Sequence, residues 1–259
     1  MSKSFWSFWP SKPDQEHQTF SVDPVTKAAA ARVESRNHCA CLSRRGNSGR
    51  PSVPNLHVED QAVSASGWPL VTRLIDHAAR THAGVFEPAA QLSWQDWQQV
   101  TTLPAEVQNL TDVRELRLYG SHLRRLPPEV GAMKSLTNLD IYTSYSLHWL
   151  PYEVTRCAHL ATSRMSTRAL YGNRKTRLPF PRLSGPIDSL RPKTCSVCDQ
   201  PLGKSPPQVW WTTQRVGTDD VPLLVHSCSD ECTKSLPQSP AGYFARPHKG
   251  GAGMPAPDL

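Results

Sequence analysis

Hydrophobic residues in the middle of the chain follow a fixed period. A five-residue pattern of Leu, Pro, any residue, Glu and Val occupies residues 103–107, 126–130 and 150–154, at steps of 23 and 24 residues. A constant period in this range is typical of one structural unit stacked on copies of itself, each completing the core of its neighbour. Stacked units present broad surfaces, so the period favours binding over catalysis.

Further aliphatic positions recur in step with this pattern. Leu116 and Leu118 in one copy correspond to Leu139 and Ile141 in the next, within an L-x-x-L-x-L core that precedes a polar turn. Cys157 falls where the earlier copies have Leu or Met. We therefore predict that Cys157 is a buried small hydrophobic residue and not a nucleophile.

An amphipathic helix is predicted ahead of the repeats, over residues 68–82. Its aliphatic residues recur at steps of three and four, with Ser66 as a candidate N-cap and Gly84 as a candidate stop. Because a stack of repeats exposes core at its open end, the helix and the Trp residues after it predict an amino-terminal cap.

With this pattern the chain resembles the leucine-rich-repeat family, in the class with Leu-Pro and Glu-Val in each repeat that occurs in bacterial proteins and plant Ras-group-related proteins. The resemblance covers residues 92–183. It implies an α/β fold, a short solenoid with parallel strands on a concave face and an irregular or helical convex side. The family usually has Asn in the turn, where this chain has Ser121 and Ser144.

The third copy fits two registers. In the preferred register, residues 170–172 repeat the Leu-Tyr-Gly of residues 118–120, which requires an insertion between residues 158 and 169. The competing register uses Leu160 and Met165 and puts Ser163 at a core position.

The preferred register predicts a row of tyrosines on the concave face. Tyr119, Tyr142 and Tyr171 each follow an inner Leu or Ile, and Arg117 and Asp140 lie beside them. Tyrosine offers contact area and a hydroxyl at low entropic cost, and it is enriched at binding hot spots. We predict that these five residues bind a protein partner; the alternative is that the tyrosines only stack on one another or on the flanking chain.

Four cysteines near the carboxyl end form two closely spaced pairs. Two residues separate Cys195 from Cys198, and three separate Cys228 from Cys232. Each pair can supply two thiolates from one tight turn, and four thiolates match the tetrahedral coordination of zinc. The pattern predicts a closed, structural Zn²⁺ site, with His226 as an alternative to one of the second pair.

The chain between and after the two pairs indicates a small hairpin and a helix. Strands are predicted at residues 209–213 and 221–225, and a helix at 229–236. The layout resembles a treble-clef zinc finger, and residues 226–232 are similar to the end of FCS- and MYM-type fingers. Of Trp210 and Trp211, one is predicted to pack beside the site, and the other is a candidate stacking surface.

Charge and cysteine usage narrow the choice of partner and compartment. The chain carries 29 Lys and Arg against 22 Asp and Glu. The segment between Glu153 and Asp188 contains seven basic residues and no acidic one. This basic flank is either a solvated surface or, as the alternative, a surface that binds nucleic acid. No stretch of the sequence is long and apolar enough to predict a membrane span. The chain has seven Cys, four of them in a pattern typical of a metal site, which suits a reducing compartment. We therefore predict that the protein is cytoplasmic.

These patterns divide the chain into six predicted parts. They are a disordered amino-terminal tail, a helical cap, the solenoid, a linker, the zinc module and a disordered carboxy-terminal tail, over residues 1–65, 66–99, 100–183, 184–193, 194–238 and 239–259. Cys39 and Cys41 in the first tail are predicted to be free thiols, since one intervening residue suits a tetrahedral metal poorly.

The sequence contains no phosphate-binding loop and no nucleophile and base at a known catalytic spacing. We therefore predict a non-enzymatic protein-interaction module that binds a protein partner on its concave face, with no membrane and no small-molecule substrate. The main alternative is a nucleic-acid-associated regulator that uses the zinc finger and the basic flank. A secreted bacterial effector is a weaker alternative.

Overall fold

The computed structural model describes Cys41, residues 54–173, residues 178–252 and Met254, all within the unit Arg36–Leu259. Their architecture is mixed α/β, with a parallel sheet and few helices. The elements in chain order are α1 (Gly67–Arg80), β1 (Val85–Phe86), α2 (Trp94–Trp97), β2 (Glu115–Arg117), β3 (Asn138–Ile141), β4 (Leu150–Pro151), β5 (Thr162–Met165), β6 (Gln208–Val216), β7 (Asp219–Ser227) and α3 (Asp230–Lys234).

A four-stranded parallel sheet runs through the repeat region in the order β1-β2-β3-β5. The copies pair in step, with Leu116 opposite Leu139 and Ile141 opposite Met165. All four side chains are buried. Because side chains alternate along a strand, the residues on either side of these four in each strand lie on the opposite, outward face of the sheet.

Each Leu-Pro pair leads into a short 3₁₀ helix. These helices span Ala105–Asn109, Pro128–Ala132 and Tyr152–Arg156, and the preceding prolines have φ between −74° and −67°, the range that the proline ring imposes. The valine of each motif is buried in the core that the strands share: Val107, Val130 and Val154.

The predicted helix at residues 68–82 is confirmed as α1, Gly67–Arg80. Ser66 occupies the predicted N-cap position, but the predicted stop at Gly84 is wrong. Ser66 makes no capping bond to the helix, because its hydroxyl donates to the Asp96 carboxylate instead. The helix ends before Gly84, with Thr81 as its C-cap.

Buried serines connect the turns that follow β2 and β3. The hydroxyl oxygens of Ser121 and Ser144 lie 2.8 Å apart, and Ser144 Oγ donates to the carbonyl oxygen of Leu118 at 3.0 Å. The Ser121 N–H donates to the Ser144 hydroxyl at 3.3 Å. The two side chains therefore satisfy buried backbone groups of adjacent turns.

The preferred register of the third copy is wrong. β5 pairs with β3 through Met165, and Ser163 lies opposite Leu139, as in the competing register. A polar side chain is stable at this core position because the Ser163 hydroxyl donates to the Asp219 carboxylate at 2.7 Å and accepts from the Thr218 N–H at 3.0 Å.

Tyr171 therefore does not belong to a tyrosine row on the sheet. Its side chain is fully buried, and its ring packs against Phe180 and Trp211 at centroid distances of 6.3 and 5.9 Å. The repeated Leu-Tyr-Gly has another cause, since Gly120 and Gly172 both have φ +65°. The shared sequence marks the same left-handed turn, not the same position in the sheet.

The predicted hairpin is confirmed as β6 and β7, and it packs on the last repeat. β7 pairs with β4, with Leu223 opposite Leu150. Leu223, Val216 and Val221 join the core of the repeat region. The hairpin turns at Gly217, where φ is +58° and a Cβ would lie 2.7 Å from the Thr162 carbonyl carbon. The predicted helix at 229–236 is confirmed as the shorter α3.

The tails predicted to be disordered include packed segments. Within residues 54–65, the Gln61 side chain accepts a hydrogen bond from the Thr101 N–H at 2.7 Å. Near the other end, the backbone N–H of Trp211 donates to the backbone carbonyl oxygen of His248 at 2.9 Å. Such side-chain and edge-strand bonds leave no hydrophobic period in the sequence. Residues 1–40, 42–53, 253 and 255–259 of the two tails, Cys39 among them, lie outside the described residues.

Candidate metal centre and exposed sheet face

The four cysteines of the two pairs come together in space. Cys195 and Cys198 precede β6, Cys228 follows β7, and Cys232 lies on α3. Their sulfur atoms all lie within 4.8 Å of one another, and none forms a disulfide. These four residues could hold a metal ion.

Each pair is positioned by its own backbone turn. The Ser229 hydroxyl caps α3 by accepting from the N–H of Cys232 at 3.2 Å. In the first pair, the Cys195 N–H donates to the carbonyl oxygen of Gln200 at 2.8 Å, and Asp199 adopts φ +61°. The long hairpin then brings the two turns together.

The spacing of the sulfur atoms fits a tetrahedral metal. A metal–sulfur distance of ~2.3 Å places two sulfurs of a tetrahedron about 3.8 Å apart. The Sγ atom of Cys228 lies 3.6 Å from the Sγ atoms of both Cys198 and Cys232. The N–H of Cys228 donates to Cys195 Sγ at 3.4 Å, a bond that favours a thiolate.

The thiols of the cluster have divergent pKa values. Burial raises the pKa of Cys195, but hydrogen bonds from the N–H groups of Cys198, Val197 and Cys228 outweigh it and lower the pKa to about 7. Hydrogen bonding with Cys232 and Cys198 raises the pKa of Cys228 to about 12. Four adjacent thiolates need a cation among them, which suits the cluster to a metal.

His226, the alternative ligand, is not part of the cluster. Its buried side chain lines a cavity of about 240 Å³, together with Arg125 and Arg191. Burial, and then the charge of Arg191, lowers the pKa of His226 to about 4. The geometry favours the four cysteines as the ligand set.

Four of the five predicted partner-binding residues lie on the outward face of the sheet. Tyr119 and Tyr142 follow β2 and β3, and they are 46% and 45% exposed. Arg117 and Asp140 are opposite each other in the same two strands. The fifth residue, Tyr171, is the buried one described above.

Ion pairs neutralise most of the charge on this face. Arg117 bonds the carboxylate of Glu87 at 3.0 Å and that of Glu115 at 2.7 Å. Arg164 bonds Asp140 at 2.7 Å. Pairs as exposed as these add little to stability, but they leave the two tyrosines in a nearly neutral setting.

The two adjacent tryptophans have different roles. Trp211 is fully buried, and its Nε1 donates to the carbonyl oxygen of Pro181 at 2.9 Å. Trp210 is half-buried, with the ammonium nitrogen of Lys249 only 3.6 Å from its ring centroid. The face of Trp210 that Lys249 covers is therefore not open for stacking on a base.

Some basic residues between Glu153 and Asp188 form hydrogen bonds and ion pairs within the protein. The Arg156 guanidinium donates to the carbonyl oxygens of Cys195 and Ser196 at 2.9 and 3.1 Å, and Arg164 bonds Asp140 as described. Residues 174–177, three of them basic, lie outside the described residues.

Sequence reasoning missed a second cluster of metal-ligating side chains. Cys41, predicted to be a free thiol, forms no disulfide and lies with His57 and His148. The three residues are 16 and 91 positions apart, so no spacing pattern marks them, and only the fold brings them together.

Comparison with known proteins found neither a family model nor a curated protein that matches the chain. Its function is therefore inferred from its own residues. Within the described part of the chain, no helix combines the length and the apolar character needed to cross a membrane.

Proposed function

We propose that this protein is a non-enzymatic interaction module, a short leucine-rich-repeat solenoid whose outward sheet face binds a protein partner. The exposed pair Tyr119 and Tyr142 carries this proposal. Among the described residues, they are the only Tyr, Trp or Phe side chains that are exposed rather than partly or fully buried. Tyrosine is enriched at interface hot spots because it combines a large apolar surface with a hydroxyl.

The solenoid is supported by the way in which the copies share one core. The strands β2, β3 and β5 pair in parallel at the step of the sequence repeat, and β2 and β3 are each followed by a Leu-Pro pair and a 3₁₀ helix. A unit of this kind cannot bury its aliphatic residues alone, so α1 and the hairpin close the two ends.

The charges beside the tyrosines favour a protein partner over nucleic acid. The two guanidinium groups on this face already bond three carboxylates, so phosphate groups would have to compete with those pairs. The Arg164 guanidinium also lies 5.2 Å from the Tyr142 ring centroid, where it supports the ring. A neutral protein surface with apolar groups and hydrogen-bond partners for two hydroxyls suits this face.

The metal that we propose for the four cysteines is zinc, in a structural role. Soft thiolates in a tetrahedral set select zinc, and four protein ligands leave no open position for a substrate. Cys157 offers no alternative reactive centre, because it is buried and burial raises its pKa to about 11.

The test is affinity capture from source cells with quantitative mass spectrometry, followed by calorimetry with the purified partner. We expect the Tyr119→Ala/Tyr142→Ala variant to lose affinity by about 10-fold or more. Val63→Ala removes apolar surface from a side chain that is 73% exposed elsewhere, and it serves as the matched control with unchanged affinity. Equal binding by the wild type and the double variant would contradict the proposal.

The same double variant separates protein binding from the nucleic-acid alternative. Binding to phosphate groups weakens steeply with salt. Tight, salt-sensitive binding of single-stranded or duplex DNA, measured by fluorescence anisotropy and unaffected by loss of the two tyrosines, would favour the alternative.

A further inference from the structure

Three metal-ligating side chains from distant parts of the chain meet in the interior. Cys41, His57 and His148 are 7%, 5% and 0% exposed. One ligand atom from each lies within 4.8 Å of the other two. Buried His side chains are uncommon without a partner for each ring nitrogen, so the convergence of two imidazoles on one thiol needs an explanation.

His148 presents one particular nitrogen to the thiol. Its Nδ1 lies 2.6 Å from the carbonyl oxygen of Ala169, and only a protonated Nδ1 can donate to a carbonyl. In the neutral ring, the Nε2 atom then carries a lone pair, and it lies 3.1 Å from Cys41 Sγ. An imidazole that donates its other N–H to a backbone carbonyl is the usual arrangement of a metal-binding histidine.

His57 is oriented in an equivalent way by a carboxylate. Its Nδ1 lies 3.2 Å from Glu59 Oε2, and Glu59 Oε1 in turn forms an ion pair with Arg124 at 3.4 Å. A proton on Nδ1 leaves the lone pair on Nε2. The His57 ring is stacked on that of His148, with 5.8 Å between centroids and 11° between planes.

The backbone around Cys41 supports its position beside the histidines. The N–H of Asn55 donates to the Cys41 carbonyl oxygen at 3.4 Å, which places Cys41 next to the segment that carries His57. His148 belongs to the third repeat, where its carbonyl oxygen accepts from the Tyr171 N–H at 3.1 Å. The cluster thus joins the segment ahead of α1 to the last repeat.

We propose that Cys41, His57 and His148 bind a second zinc ion. One soft thiolate and two neutral imidazoles form a donor set typical of zinc. The ion would close the long stretch of chain between Cys41 and His148 and hold the segment ahead of α1 on the repeats. This site is independent of the proposed partner face, so either proposal can fail alone.

The test is the metal content of the full-length protein, purified without chelator, by native mass spectrometry and elemental analysis. The two clusters predict two zinc ions per chain. His57→Ala and Cys41→Ser should each retain one ion. Cys157→Ser, a change at a buried cysteine outside both clusters, should retain two. A single ion in the wild type, or two ions in His57→Ala, would overturn the proposal.

A milder variant and a spectroscopic measurement distinguish the loss of a metal ligand from misfolding of the variant. Glu59→Gln keeps the ligands but weakens the orientation of His57, and it should reduce affinity for the second ion about 10- to 100-fold. Cobalt substituted for zinc in the wild-type protein should fill two sites, one with strong charge-transfer absorption from four thiolates and one with weaker absorption from a single thiolate. A spectrum of the four-thiolate site alone would contradict the proposal, and it would identify the cluster as a metal-free thiol–imidazole pair.

Discussion

The repeat sheet and the cysteine hairpin are stabilised in different ways. In the sheet, side chains such as Leu116 and Leu139 from successive copies fill one aliphatic core. The hairpin has two nine-residue strands, an aromatic cluster around Trp211 and four converging cysteines. The stability of the sheet is spread over many similar contacts, whereas that of the hairpin depends on a few residues.

The two regions nevertheless depend on each other at one end of the sheet. The Ser196 hydroxyl donates to the buried Glu153 carboxylate at 2.7 Å, and Ser163 of β5 bonds the hairpin turn. Damage to the hairpin should therefore reach β5. It should weaken towards β1, because each strand of the sheet pairs only with its neighbours in the order β1-β2-β3-β5.

Loss of the proposed zinc ion should reveal the largest difference in stability between the hairpin and the sheet. A structural zinc ion contributes about 10 kcal/mol or more to the folding of its module. In Cys195→Ser/Cys198→Ser we expect amide exchange, measured by mass spectrometry, to become fast in β6 and β7 and to increase in β5, while β2 stays protected. Cys157→Ser should leave all four strands unchanged. Full protection of the hairpin in the double variant would show that the cysteines have no structural role.

The two faces of the sheet should respond unequally to truncation. Leu139→Ala opens a cavity in the aliphatic core and should cost about 2–5 kcal/mol. Tyr142→Ala changes a side chain on the outward face and should cost less than about 1 kcal/mol. Urea denaturation of the two variants measures both values, and the opposite order would mean that the assignment of the faces is wrong.

The hairpin turn should tolerate no side chain where it touches β5. Gly217→Ala places a Cβ against the Thr162 backbone at a positive φ, and we expect a loss of about 1–3 kcal/mol. Gly203→Ala is the matched control, because nothing lies within 4 Å of its Cβ. Thermal unfolding should show a lower Tm only for the first variant; equal Tm values would argue against contact between the turn and the sheet.

A buried carboxyl at the boundary should give a small pH effect. Burial raises the pKa of Glu153 above its ordinary value, although Ser196 partly offsets this. The folded protein then holds this proton more tightly than the unfolded chain, so its contribution to stability falls as pH rises from about 4.5 through the raised pKa.

Glu153→Gln removes this titration while keeping a group that can accept from Ser196. Its free energy of unfolding should depend less on pH, with a gain of about 1 kcal/mol at neutral pH, the scale of one buried hydrogen-bonding group. Denaturation over a pH series measures the difference. A profile parallel to that of the wild type would exclude Glu153 as the source.

The sequence predicts the main elements of both regions. The repeat period predicts the strands and return segments, and the paired cysteines predict their cluster, because both depend on local spacing. The register of β5 was misjudged because Leu170-Tyr171-Gly172 repeats a turn conformation rather than a strand position. The spacing of Cys41, His57 and His148 in the sequence does not predict their cluster, since only tertiary packing brings those residues together.

In the proposed function, the outward sheet face binds the partner and the hairpin supports the sheet. Hydroxyl-radical footprinting of the purified complex tests this proposal most directly, because the method reports the exposure of each side chain. We predict that oxidation of Tyr119 and Tyr142 falls in the complex, while that of Val63 and Trp210 does not change. Protection of Trp210 and the hairpin, with both tyrosines still oxidised, would contradict the account.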